Sequence, residues 1–184
     1  AGVTALQRIV DVIPYCPPDV LSYGYEELKD AFILGRVAMC LQWPCIWKKG
    51  NDPAQSKIVG NVGITQVPGV IKDGKLVFRA PMPCGRVLAV SATSKNPEAA
   101  YYVAKVLSYD KSLADVSTPK TGLDPFRISH FNNPKAFAEF APESEAKEYL
   151  AAIRKNLTYG YPDLNLPGSA EYIDVLEIYL GKAY

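Results

Sequence analysis

The sequence is poor in the residues that metal and nucleophile chemistry require. Among 184 residues there is one histidine, His130, and four cysteines, Cys16, Cys40, Cys45 and Cys84. The close pair Cys40 and Cys45 does not have the spacing of a structural zinc site, and a lone histidine cannot complete one. Cysteine count leaves the redox compartment open, since small buried thiols and one or two disulfides both fit it. Also missing are a G-x-S-x-G turn, a phosphate loop and a G-x-G-x-x-G fingerprint. Charge of one sign is scarce as well: 20 lysines and arginines stand against 19 aspartates and glutamates. No global field therefore favours nucleic acid or an acidic membrane face. No apolar run approaches the roughly 20 residues needed to cross a bilayer. The opening AGVTALQRIVDVIP lacks the basic region and long apolar block of a signal peptide.

What is present is ordinary globular composition, 48% hydrophobic and 21% charged, enough for one sizeable core or for a large part of a two-domain protein. Leu6, Ile9, Val10 and Ile13 recur at helical spacing with no capping residue before them, so the chain reads as starting inside a helix. The end, EIYLGKAY, stops as abruptly. Both ends suggest a piece of a longer protein. Fifteen prolines and thirteen glycines divide the rest into short elements. Leu21, Tyr25, Leu28 and Phe32 line one face of a helix that Gly35 can end. Val37 to Trp43 reads as a buried strand, KIVGNVGITQVPG as a strand running into a loop, and Arg86 to Ala92 as another strand. Asp73-Gly74, between the apolar runs of VIKDGKLVF, signals a two-residue hairpin turn. Helices are expected after Asn96-Pro97, after Asn133-Pro134 and after Pro142, the last with Ala146, Tyr149, Ile153 and Leu157 on one side. Ser169 caps a final helix carrying Tyr172, Leu176, Tyr179 and Ala183. Strands alternating with helices make the expected class α/β.

Catalytic candidates are few. A thiol nucleophile needs a base, and only His130, in RISHFNNP, is available to Cys84; a loop or cap role for that histidine is the simpler reading. Glu26-Glu27 and Glu143 with Glu145 lie on polar helix faces, where solvated charge is the default. Binding has more to work with. Twelve tyrosines and two tryptophans supply flat apolar faces of the kind that pack on sugar rings. Trp43 falls at the C-terminal end of its proposed strand, the end at which open α/β sheets expose ligands. Trp47 falls in a loop or a first helical turn. Arg127, in TPKTGLDPFR, offers a planar fork for a carboxylate or hydroxyl pair, or for an ordinary salt bridge.

Four blocks, in order, resemble a known family. YEELKDAFILGRVAMCLQWPCIW resembles the segment of family 1 extracellular solute-binding proteins in which an aromatic-rich helix leads to a short strand ending in tryptophan. PMPCGRVLAVSATSKNPEAAYYVAKVLS is similar to that family's "GGw" block, and TGLDPFR and PDLNLPGSAEYIDVLEIYLGKA follow in family order. These proteins are the sugar-binding components of bacterial ABC importers. The resemblance implies a type II periplasmic-binding-protein-like α/β fold of two hinged lobes that close on the ligand, of which this chain would be the C-terminal portion. Residues 1–80 would belong to the second lobe, 81–124 would cross to the first, and 125–184 would return.

The resemblance further implies that Trp43 stacks on sugar and that Gly85 approaches the ligand by its backbone. Cys84 and Arg86 replace the glycine and aromatic residue that usually flank that position, a departure that could place a charge beside an acidic or phosphorylated ligand. Asp124 and Arg127 match a loop that often faces the cleft, and Asn165 a later loop that sometimes does. Cys40 and Cys45 are expected as buried thiols. The implied function is binding without bond chemistry, with no cofactor or metal, for a protein that is monomeric at full length. Its partners would be a sugar-like solute and ABC permease subunits. Its place would be periplasmic or extracellular, with membrane anchoring through an N-terminal signal ahead of Ala1. The competing readings are a cysteine-dependent enzyme using Cys84 with His130, and a tyrosine-rich protein-interaction module.

Overall fold

The computed structural model describes residues 2–78, 83, 85, 87–109, 111–162 and 166–183. In chain order the described elements are α1 (Gly2–Val12), α2 (Tyr25–Ile33), α3 (Cys45–Gly50), β1 (Val70–Lys72), β2 (Lys75–Val77), α4 (Pro97–Ser108), α5 (Ser112–Val116), α6 (Ile128–Phe131), α7 (Glu143–Thr158) and α8 (Ser169–Leu180). Turns of 3-10 helix cover Ile13–Tyr15, Val20–Ser22 and Pro134–Phe137. The chain divides into two compact units, Ala1–Cys40 with Pro162–Tyr184, and Leu41–Tyr161.

In the first unit the apolar spacing from Leu6 to Ile13 does form a helix, α1. The helix expected from Leu21 to Phe32 is broken. Gly24 is extended (φ −94°, ψ −160°), separating the Val20–Ser22 turn from α2, and its N–H donates to Glu27 Oε2 at 2.9 Å to start the second helix. Gly35 closes α2 as its position suggested, at φ 73° in the left-handed region, with its N–H on Phe32 O. The N-cap of α8 is Gly168, also left-handed at φ 79°, so Ser169 is the first helical residue rather than the cap.

The second unit holds most of the core. Trp47, on α3, is 1% exposed and stacks on Tyr149 of α7, with centroids 4.4 Å apart and planes 15° from parallel. Phe137 and Phe140 close over the same indole at 6.4 and 5.7 Å, the tilted geometries that the quadrupoles of aromatic rings favour. Helix α7 contributes Ala146, Tyr149, Leu150 and Ile153, which are buried, on the face its periodicity marks. Leu157, expected on that face, is 49% exposed on the last turn. The Pro134 segment begins where Asn133-Pro134 signals but makes only one 3-10 stretch, which suffices to bring Phe137 into the core.

The hairpin is the other element that matches closely. Asp73 (φ 52°) and Gly74 (φ 73°) are both left-handed, as a type I′ turn requires, and Val70, Ile71 and Lys72 face Val77, Leu76 and Lys75. Its base is fastened to the end of α7. Asn156 Oδ1 accepts from Val67 N–H at 3.3 Å, and the Phe78 ring lies 5.6 Å from that of Tyr159, with the Lys155 ammonium over it.

The other strand expectations are not met among the described residues. Val37 to Trp43 is irregular, with Met39 86% and Leu41 71% exposed. The 57–69 segment and residues 87–92 also form no ladder, and Val87 is 91% exposed. Apolar composition gives a segment reason to be covered, but a strand exists only where a second edge takes its N–H and C=O groups. The β1–β2 pair is the one ladder among the described residues.

Replacing Trp47 by alanine removes the ring that three other aromatics pack against. The expected loss is about 3–5 kcal/mol of stability by urea unfolding, whereas Trp43→Ala, at a half-exposed position, changes it by less than about 1 kcal/mol.

Candidate functional site

Trp43 immediately precedes α3. Its carbonyl accepts from Ile46 N–H at 3.1 Å and its own N–H donates to Gln42 Oε1 at 2.8 Å, which fixes the backbone from which the half-exposed indole projects. Pro44 then enters α3 in helical conformation. The two tryptophans of the same stretch thus have opposite environments, Trp47 sealed in the core and Trp43 at 50% exposure.

One turn on, Lys48 is completely buried. Its Nζ donates to Val116 O at 2.9 Å and to Leu123 O at 2.6 Å, and the neighbouring Lys49 Nζ reaches Pro119 O at 3.3 Å. Two lysines of a six-residue helix therefore fasten the whole 116–123 loop. Burial lowers the Lys48 pKa to about 8, against the opposing pull of Asp124. Asp124 Oδ1 also accepts from the Tyr149 hydroxyl at 3.4 Å, and burial, with the Asp124 charge, raises the phenol well above its ordinary range. Nothing in CIWKKG distinguishes a buried lysine from a solvated one, so sequence reasoning misses Lys48.

The other polar candidates are engaged within the fold. Arg127 donates through Nε to Ser108 O at 2.8 Å, and its guanidinium lies 4.7 Å from the centre of the Tyr109 ring. It thereby ties the loop ahead of α6 to the end of α4. His130 is 1% exposed, with Nε2 3.0 Å from Ser112 Oγ and Nδ1 accepting from Phe126 N–H at 3.4 Å. Burial and the nearby Arg127 charge lower its pKa. Cys16, Cys40 and Cys45 are thiols; Cys45 is fully buried, and partial burial raises the pKa of Cys40. Gly85 is exposed, with open space where a side chain would stand. Cys84, Arg86 and Asn165 lie outside the described residues.

The Asp124 and Arg127 bonds run to different elements, to Tyr149 of α7 and to Ser108 at the end of α4. A depression of about 410 Å³ is lined by Ile128, Phe131, Arg154, Leu157 and Thr158, none of which the sequence marks as a ligand residue. Among the described residues no group of three or more histidine, cysteine or acidic side chains could hold a metal ion. No helix there is long and apolar enough to cross a membrane.

Over 108 residues the chain is 33% identical to a protein of Deinococcus radiodurans named as a probable ABC transporter-binding protein. The match takes in 58% of this chain but 24% of that relative, so the chain spans about a quarter of the relative's length. No family model and no solved structure matches the chain.

Lys48→Met keeps the length of the side chain but leaves Val116 O and Leu123 O without their donor. The expected cost is about 1–3 kcal/mol at neutral pH. Because the native pKa lies below that of the unfolded lysine, the unfolded chain binds more protons between pH 8 and 10. Wild-type stability therefore rises with pH across that window relative to Lys48→Met. Parallel urea titrations of the two proteins check both statements.

Proposed function

We propose that this chain is part of a solute receptor that delivers a sugar or sugar-like ligand to an ABC-type importer, outside the cytoplasmic membrane. The observation that carries the reading is the 33% identity to a protein named as a probable ABC transporter-binding protein. The four ordered blocks described above agree with it. The reading includes a type II periplasmic-binding-protein-like fold, closure of two lobes on the ligand, and a full-length monomer that meets permease subunits. It also includes anchoring or export through an N-terminal signal.

The chemistry needed is recognition without bond making. A sugar presents C–H faces to an aromatic platform and hydroxyls to fixed donors and acceptors, and closure selects the bound state by its differential affinity. Trp43 supplies the platform: it is aromatic, half-exposed and held on a defined backbone. The family likeness adds Gly85, flanked by the departures Cys84 and Arg86, and the loop residues Asp124, Arg127 and Asn165. Of these, Asp124 and Arg127 shape loops, through the Tyr149, Ser108 and Tyr109 contacts. The enzymatic alternative draws no support from His130, whose two ring nitrogens are engaged in a buried setting.

A bound ligand stabilises the state that binds it, by about 2.7 kcal/mol at a hundred times Kd. Thermal melting against mono- and oligosaccharides, polyols and sugar acids should raise Tm for at least one class at millimolar concentration. Trp43→Ala should remove that rise while leaving the unliganded Tm nearly unchanged. A flat response across the panel would count against a sugar ligand. A rise that survives Trp43→Ala would take that residue out of the site.

A further inference from the structure

The hydrogen-bond chain through His130 has a single polarity. Phe126 N–H donates to Nδ1, so Nδ1 carries no proton and Nε2 does. Nε2 then donates to Ser112 Oγ at 3.0 Å, and Ser112 Oγ donates onward to Tyr109 O at 2.9 Å. The chain joins the loop before α6 to the first residue of α5 and to the end of α4. Ser112 and His130 are both buried, at 2% and 1% exposure, and the Phe126 ring packs edge-on against the imidazole at 4.8 Å. Arg127 runs in parallel from the same loop to Ser108 O and the Tyr109 ring. The two side chains together form a clasp that holds the α4–α5 corner against α6.

We propose that this clasp is an acid-sensitive latch, closed when His130 is neutral and opened when it is protonated. A second proton has one place to go, Nδ1, where it would confront the Phe126 N–H that now donates to that nitrogen. The charge would also be buried. Among the described residues the groups facing the ring from α5, from the end of α4 and from its own loop are the Ser112 hydroxyl, the Tyr109 segment, Phe126 and Arg127. The charge that bears on the ring is Arg127, of the same sign. Among the described residues no carboxylate acts on the ring against it. The lowered pKa of His130 agrees with this geometry. Its sign follows from linkage: the closed form binds the proton more weakly than the open form, so its advantage is complete above the ordinary value of 6.5 and is lost as pH falls from there through the depressed native value. Through that window the opening constant rises up to about tenfold per pH unit.

His130 is the sole histidine of the chain, so its imidazole C–H resonance reports the titration directly in the unaltered protein. The expected midpoint lies below 6.5. Hydrogen exchange, corrected for the intrinsic rate, should show the amides of Phe126 and of the α5 segment losing protection through the same window while Leu150 and Ile153 in α7 keep theirs. His130→Gln, which retains a donor for Ser112 but does not titrate, should remove the pH dependence. A midpoint at or above 6.5, or loss of α5 and α7 protection together, overturns the latch.

Discussion

The Lys48 ammonium is the constraint on which the larger unit depends. A cation with no solvent exposure is strongly disfavoured unless acceptors and charge are matched to it. Here the match is made by two loop carbonyls and by the Asp124 charge. Because those carbonyls belong to Val116 and Leu123, the loop between α5 and α6 must pass over α3 for the charge to be tolerated. Because Asp124 also receives the Tyr149 hydroxyl, the same loop is tied to α7, whose Tyr149 ring stacks on Trp47 next to the lysine in sequence. The aromatic cluster and the buried charge are therefore linked twice, through the Trp47–Lys48 peptide of α3 and through Asp124, which acts on the ammonium and accepts from the Tyr149 hydroxyl.

The same pattern of side chains serving distant backbone runs through the rest of the larger unit. With a single two-stranded ladder among the described residues, much of the backbone between helices must find partners elsewhere. Lys48, Lys49, Asn51, Asn156 and Arg127 all meet backbone groups of other segments, from Gly60 to Leu123. The relative named for ABC-transporter binding matches over 108 residues of this chain.

How far the primary structure could be read depended on the range of the signal. Local signals held: the helical spacing at Leu6 to Ile13, Asn96-Pro97 before α4, the Ala146 to Ile153 face, Asp73-Gly74 at the hairpin and Gly35 at the end of α2. Each is decided by neighbours within a turn or two. The segments 37–43, 57–69 and 87–92 failed as strands because pairing is a property of two segments, and apolar content describes only one. Of the site, Trp43 was legible as an aromatic at the end of its segment, expected there after a strand and found before α3, but Arg127 and Asp124 were legible only as polar residues in a loop. Their partners, Ser108 O and the Tyr149 hydroxyl, lie 19 and 25 residues away.

The sequence by itself determined the start of α4, the end of α2, the hairpin turn and the likeness to solute-binding proteins, since all are carried by residues close together or in fixed order. Only the tertiary structure decided that Trp47 rather than Trp43 is the core indole, that one of two adjacent lysines is sealed inside, and that the single histidine is a neutral link between helices. Burial and hydrogen-bond partnership are set by what the chain brings in from a distance. A lysine in CIWKKG becomes a core residue only when Val116 and Leu123 present it their carbonyls.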